Sequence, residues 1–301
     1  MRPRNFIEEA KHLYRTGGGY IQLLAVNTIV FLIIGIVEVF GRLIGPNAEY
    51  NASLIMTRIF SMPTDSEIIF YPWTFFTSIF AHFSFSHFIM NMIFLFFAGR
   101  IFEQHFSRIR LLYTYVLAGF AGSILEIIAH TIFPAMAAQS TLVVGASGSI
   151  MGIFVAMAFY APQLKINLFG ILPVRLIFLA LFFLLSDFFS LGKADGTAHF
   201  AHVGGALFGI WSVSKYGTQK NIVTRFINVF SDLFNKLAKF FSKKKMTVVS
   251  NNSRPKTDEE FLQDKKENQV KIDKILDKIS KAGYDSLNKE EKDILFKQSR
   301  K

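Results

Sequence analysis

The chain contains no cysteine, so a disulfide framework, a thiolate nucleophile and a Cys-ligated zinc are all excluded, and stability must come from packing. Acidic residues are scarce as well: 22 Asp and Glu stand against 33 Lys and Arg, a formal charge of +11. No His-Glu-x-x-His is present, which argues against an intramembrane zinc protease, and the pair His199 and His202 has no obvious third protein ligand. No Gly-Lys-Ser phosphate loop occurs. These absences leave no expected metal or cofactor. Internal repeats and paired interrupted helices, which a transporter would carry, are also missing. Nucleic acid is not an expected partner, because Asp and Glu are interleaved with the basic residues of the tail and aromatics are sparse there.

What is present is apolar. Of 301 residues, 51% are hydrophobic and 35 are Phe, more than a soluble core requires. The expected class is an all-α membrane protein with a cytoplasmic helical tail. Apolar runs predict six spans at 21–43, 79–102, 109–132, 147–162, 171–190 and 198–215. The first is too long for a signal-peptide core and has no convincing cleavage site, so it is read as a retained helix. Basic residues at Arg2, Arg4, Lys11, Arg15, Arg108, Arg110, Lys165 and Lys215 place both termini in the cytoplasm by the positive-inside rule. The loops 44–78, 133–146 and 191–197 then face outward. The first of these, with Ile55, Phe60, Tyr71 and Trp73, is expected in the outer interface.

The predicted organisation is a cytoplasmic segment 1–20, a membrane domain 21–215, a basic amphipathic helix 216–245, a linker 246–265 and a small helical hairpin 266–301. The amphipathic helix sets Phe226, Phe230, Leu233, Phe234 and Leu237 against Arg225, Lys236 and Lys239, a pattern for the anionic cytoplasmic leaflet. In the hairpin, Ile272, Ile275, Leu276 and Ile279 form one face, Gly283 a stop, and Asn288 with Glu291 a capping box. Two short helices bury little surface, so a protein partner is expected.

The fourth span is short. From Ser147 to Pro162 it offers about 15 residues, or about 22 Å of helix, against a hydrocarbon thickness of ~30 Å. Its start therefore lies below one surface, under room for water. Gly145 and Gly148 flank Ser147, whose place at the helix start leaves backbone amides free to bind an oxyanion. Gly-Ala-Ser-Gly alone is equally a small-residue packing patch. On the second span, His87 and Asn91 are four apart and share a face. His82 is expected to brace the outer loop. On the sixth span, Gly205 and Gly209 form a close-approach face carrying His202, whereas His199 is assigned to loop or solvent contact. Two carboxylates lie within spans: Glu126, and Asp187, which is expected to be solvent-linked and not aimed at His202. Phe182, Phe183, Phe188 and Phe189 read either as a lateral gate or as lipid-facing bulk.

Together His87-x-x-x-Asn91, Gly145-Ala146-Ser147-Gly148 and the run AHVGGALFG around His202 resemble the rhomboid intramembrane serine proteases over about residues 15–215. The resemblance implies a serine endopeptidase cutting transmembrane protein substrates within the lipid bilayer through Ser147 and His202, with oxyanion donors from His87, Asn91 and the Ser147 backbone. It also implies supporting roles for Trp73 in the outer loop and Glu103 at the cytoplasmic side. Thr74 and Met151 depart from it, standing where many members place Arg and an aromatic ring. The segment KIDKILDKISKAGYDSL resembles an appendage on rhomboids of Bacteroidetes-type bacteria, which implies a bacterial inner (cytoplasmic) membrane with the site opening outward. A catalytically inactive rhomboid-like protein that binds transmembrane helices is the alternative.

Overall fold

A computed structural model describes residues 8, 17–138, 142–168, 171–193, 195–241 and 258–298. They fall into two compact units, Met1–Phe241 and Ser242–Lys301.

The first unit opens with α1 (Gly19–Ile44) and α2 (Pro46–Phe60). It continues through α3 (Phe85–Glu103), α4 (Arg108–Ile132), α5 (Ser147–Tyr160), α6 (Leu176–Phe188), α7 (His199–Val213) and α8 (Ile222–Phe241). Among the described residues, three helices, α1, α3 and α4, are long and apolar enough to cross a membrane. The remaining core helices are shorter: α5 has 14 residues, α6 has 13 and α7 has 15. Leu32, Ile36, Phe40, Phe97, Ile109, Phe182 and Leu207 stand exposed around the unit, an apolar exterior that water would not tolerate and lipid would.

Helix α5 is the axis of the unit, packed by α7, α4, α3 and α6. Nine of its 14 residues are buried, against five of 26 in α1, so α5 is enclosed by protein while α1 faces outward on most sides. Its contact with α7 is made backbone to backbone. A Cβ on Gly205 would overlap the Gly148 carbonyl, and one on Gly209 the Gly152 carbonyl, so small residues bring these two helices closer than any side chain allows. Buried Glu126 on α4 accepts a hydrogen bond from the Ala201 amide at 2.9 Å, in the first turn of α7. That fixes the height of α7 against α4.

Several boundaries depart from the hydropathy pattern. The second span was expected to open at 79, but Ser78–Phe80 forms a 3-10 turn and the helix begins only at Phe85, after Ser84 in extended conformation. The stretch is apolar because it packs inside the unit, not because it is helical. The fifth span loses its first five residues to an antiparallel ribbon, β3 (Lys165–Leu168) with β4 (Leu172–Arg175), in which Ile166 pairs Val174 and Asn167 pairs Pro173. Pro173 is tolerated because a two-stranded ribbon leaves each strand an unpaired edge. The loop 44–78 holds α2 and β1 (Met62–Pro63), which forms a second ribbon with β2 (Leu142–Val143) of the loop 133–146. The fold is therefore mostly helical with two small ribbons, where an all-α bundle was expected.

At the other end, α8 is anchored by Arg110, which the charge pattern assigns to a loop between spans. Arg110, buried in the first turn of α4, donates to the Ser212 carbonyl and at 2.8 Å to Asn221 Oδ1, and stacks on the Tyr216 ring. Val223 is fully buried, whereas Val229, Phe234 and Leu237 further along α8 are exposed.

In the second unit, α9 (Asp258–Ala282) and α10 (Lys289–Gln298) form a hairpin. Of the linker expected at 246–265, residues 246–257 lie outside the described ones and the rest is already helix, because DEEFLQDKKENQ consists mainly of good helix formers. Most of the N-terminal segment 1–20 also lies outside the described residues. Gly283 turns the chain with φ 79°, and Ile275 and Leu287 are buried. Asn288 and Glu291 cap each other: the Asn288 amide donates to Glu291 at 2.8 Å and the Glu291 amide to Asn288 at 2.9 Å. The Asn288 amide, with Lys278 beside it, holds the Glu291 carboxyl below its usual range.

Candidate active site

Helix α5 begins at Ser147 because Gly145, with φ +125°, turns the chain sharply, and its amide is tied to the Ser78 carbonyl at 3.0 Å. The Gly145 amide is thus already used, and its part in the site is steric: a Cβ here would stand 2.7 Å from His87 Cε1. The first-turn amides of α5 have no intrahelical acceptor. They open onto a cavity of about 460 Å³ lined by His87, Asn91, Ser147, Ser149, Thr197 and His202. At 14 residues, α5 is only about 21 Å long. Both ends of such a helix cannot reach the faces of a bilayer ~30 Å thick.

His202 reaches Ser147 across the α5–α7 contact, with Nε2 2.8 Å from Ser147 Oγ. Its other nitrogen, Nδ1, lies 2.9 Å from Asp187 Oδ1. This corrects the expectation that Asp187 is solvent-linked: the carboxylate is buried at the end of α6 and aimed at the histidine. His199 is not a simple loop or solvent contact either, since its Nδ1 is 2.7 Å from the same Asp187 oxygen and its Nε2 is 3.1 Å from Asp195 Oδ2. That bond to His199 holds the Asp195 carboxyl, in the loop before α7, below the usual carboxylate range.

The other candidates fall into place around this pair. His87 and Asn91 line the same cavity, and the Asn91 amide donates to the His87 carbonyl at 3.0 Å. His82 is buried, its ring edge-on to His87 with the centroids 5.1 Å apart. Met151 and Phe154 line a smaller apolar pocket of about 110 Å³ with His202. Phe183 turns inward against Phe94 and Phe154, while Phe182, Phe188 and Phe189 face outward. The Trp73 indole donates to the Arg58 carbonyl at 3.2 Å, tying the end of the loop 44–78 back to α2, and Thr74 donates to Tyr71. Glu103 accepts from the Gly19 amide at 2.7 Å and so caps α1 from the end of α3. Gly205 and Gly209 carry the α5–α7 contact already described.

Sequence reasoning also found no third partner for a metal at His199 and His202. Asp187 supplies one, for the three ligand atoms lie within 4.8 Å of one another. A metal there would compete for His202 Nδ1. The signal in the sequence is Asp187 itself, a carboxylate expected to be solvent-linked, in the last turn of an apolar helix 15 residues before His202.

A helical membrane bundle with a half-buried serine, an imidazole in hydrogen-bond contact and a cavity that both line defines the class. Residues 70–218 match the rhomboid domain, and residues 256–301 match DUF6576, a family of unknown function. The chain belongs to the rhomboid family. It is similar to RHOMBOID-like protein 6, mitochondrial, of Arabidopsis thaliana, at 31% identity over 46% of this chain and 41% of the relative. RHOMBOID-like proteins 4 and 1 of the same plant are 33% and 30% identical, over 40% and 44% of this chain and 27% and 31% of their own lengths. The chain thus matches less than half the length of each.

Proposed function

We propose that the protein is an intramembrane serine endopeptidase that hydrolyses peptide bonds in or beside transmembrane segments of membrane proteins. The observation that carries this reading is the 2.8 Å contact between His202 Nε2 and Ser147 Oγ in the wall of the 460 Å³ cavity. Ser147 Oγ attacks the scissile carbonyl carbon as its proton passes to His202 Nε2. The oxyanion is met by the Ser147 backbone amide with His87 and Asn91. The imidazolium returns the proton to the leaving amine, and water from the cavity resolves the acyl-enzyme.

In the same reading, α1 and α3 to α7 form a six-helix membrane domain at about 21–215. Both termini are cytoplasmic, and the cavity opens on the outer side of a bacterial cytoplasmic membrane. The exposed apolar residues of α8 lie on the anionic inner leaflet, and the hairpin 266–301 is a cytoplasmic docking unit.

The test is cleavage of a panel of single-span reporter proteins in liposomes by the wild-type protein and by Ser147→Ala. Cleavage by the wild type alone is expected. Equal cleavage by both removes Ser147 as nucleophile. Stable reporter binding without cleavage by the wild type favours an inactive helix-binding protein.

A further inference from the structure

We propose that Asp187 is a positioning residue for this reaction: its carboxylate sets the orientation and tautomer of His202, and His199 with Asp195 sets the carboxylate. The inference rests on the reading of Ser147 and His202 as nucleophile and base, and adds to it a chain of three further residues.

Three observations carry it. The first is where the carboxylate lies. Asp187 is 7% exposed and occupies the last turn of α6, where both burial and the negative end of the helix dipole oppose a carboxylate. Two imidazole nitrogens on one of its oxygens, at 2.7 and 2.9 Å, offset that cost.

The second is the geometry of the His202 ring, which touches Asp187 with one nitrogen and Ser147 with the other. A neutral imidazole donates from one nitrogen and accepts at its other. With Nδ1–H donating to the carboxylate, the lone pair of Nε2 is left facing the Ser147 hydroxyl, as a general base requires. The opposite tautomer would aim a proton at that hydroxyl and could not accept one. As Oγ bonds to the carbonyl carbon, the O–H bond breaks and its proton passes to Nε2. The carboxylate offsets the imidazolium that results and takes no proton itself.

The third is the brace behind Asp187. His199 and His202 are three residues apart on α7 and share a face, so α6 meets both at one oxygen. The far nitrogen of His199 is held by Asp195 at 3.1 Å. Both His199 nitrogens therefore face carboxylates, Asp187 on one side and Asp195 on the other. The end of α6 is thereby clipped to the first turn of α7, the turn whose Ala201 amide Glu126 also holds.

The test uses the full chain in liposomes. Asp187→Asn, Asp187→Glu, Asp195→Asn and Ser147→Ala are compared with the wild type by kcat and KM on a cleaved reporter, by the rate of Ser147 labelling with a fluorophosphonate, and by thermal unfolding. Asp187→Asn is expected to lower kcat and the labelling rate together by about 10²–10⁴-fold, the range for a disabled general base, with KM unchanged. Asp187→Glu recovers part of the loss. Asp195→Asn, at an exposed loop site, lowers labelling by about 10-fold, the worth of one charge-assisted hydrogen bond. Three results overturn the inference: wild-type kcat and labelling in Asp187→Asn, a rise in KM alone, or losses that track the unfolding midpoint with no recovery in Asp187→Glu. If Asp187→Asn does not fold, wild-type labelling in Asp195→Asn overturns it. Failure of the wild type to label at Ser147 removes the nucleophile and both readings, and is distinct from a wild type that labels beside an unaffected Asp187→Asn.

Discussion

Gly145→Ala perturbs the cavity wall where it meets His87. The residue has φ +125°, so an alanine there carries backbone strain of about 1–3 kcal/mol. The hydrogen bond from its amide to Ser78 resists relaxation. The added Cβ would lie 2.7 Å from His87 Cε1 and 3.0 Å from Nε2, short by about 0.7 Å of the 3.4 Å at which ordinary contact begins. The ring must therefore retreat from the cavity by that amount. A misplacement near 1 Å costs about 100-fold in rate, and loss of one oxyanion donor costs about 10²–10³-fold, so a fall of roughly 10- to 100-fold is expected. The assay is the initial rate of reporter cleavage in liposomes, normalised to folded protein by thermal unfolding. Gly192→Ala is the control: it has φ +80° and nothing within 4 Å, so it carries the backbone strain without the collision and should cleave near the wild-type rate. Wild-type cleavage by folded Gly145→Ala would refute the assignment of His87 to the oxyanion. Equal losses in both variants would reduce the effect to strain.

Other perturbations have equally definite outcomes. Glu126→Ala strips the buried Ala201 amide of its acceptor and should destabilise the protein by about 2–4 kcal/mol, read as a lower unfolding midpoint, with Glu126→Gln retaining part of the loss. Gly209→Val should separate α5 from α7 and abolish both folding yield and Ser147 labelling, because the new side chain meets the Gly152 backbone, which cannot move aside. In the second unit, the Glu291 cap contributes stability above the unfolded carboxyl pKa of about 4.3 and loses it as pH falls through the depressed folded value. The protection of the Asn288 and Glu291 amides, their exchange rate relative to the intrinsic rate at each pH, should fall between pH 7 and pH 3, and Glu291→Gln should flatten that dependence.

Much of the arrangement was legible because it rests on one-dimensional signals. Apolar run lengths place α1, α4, α5 and α7 within about two residues of the expected limits, since helices that face lipid or a buried core must be apolar throughout. The Gly205 and Gly209 spacing marked the close face of α7, and Ser147 and His202 meet there. What was not legible depends on how elements meet. Asp187 and His202 are 15 residues apart across a loop, and whether that carboxylate faces solvent or imidazole is decided by the angle at which α6 approaches α7. Arg110 read as a cytoplasmic loop charge, yet it is buried where α4, α7 and α8 converge. The apolar 79–84 and 171–175 segments look helical by hydropathy, which counts burial and not conformation.

The most direct measurement is peptide mapping by mass spectrometry after the wild-type protein and His202→Ala have been treated in liposomes with a fluorophosphonate. A single adduct on Ser147 in the wild type, absent in His202→Ala, is the expected result. An adduct at another serine, or Ser147 labelling that does not depend on His202, would contradict the account.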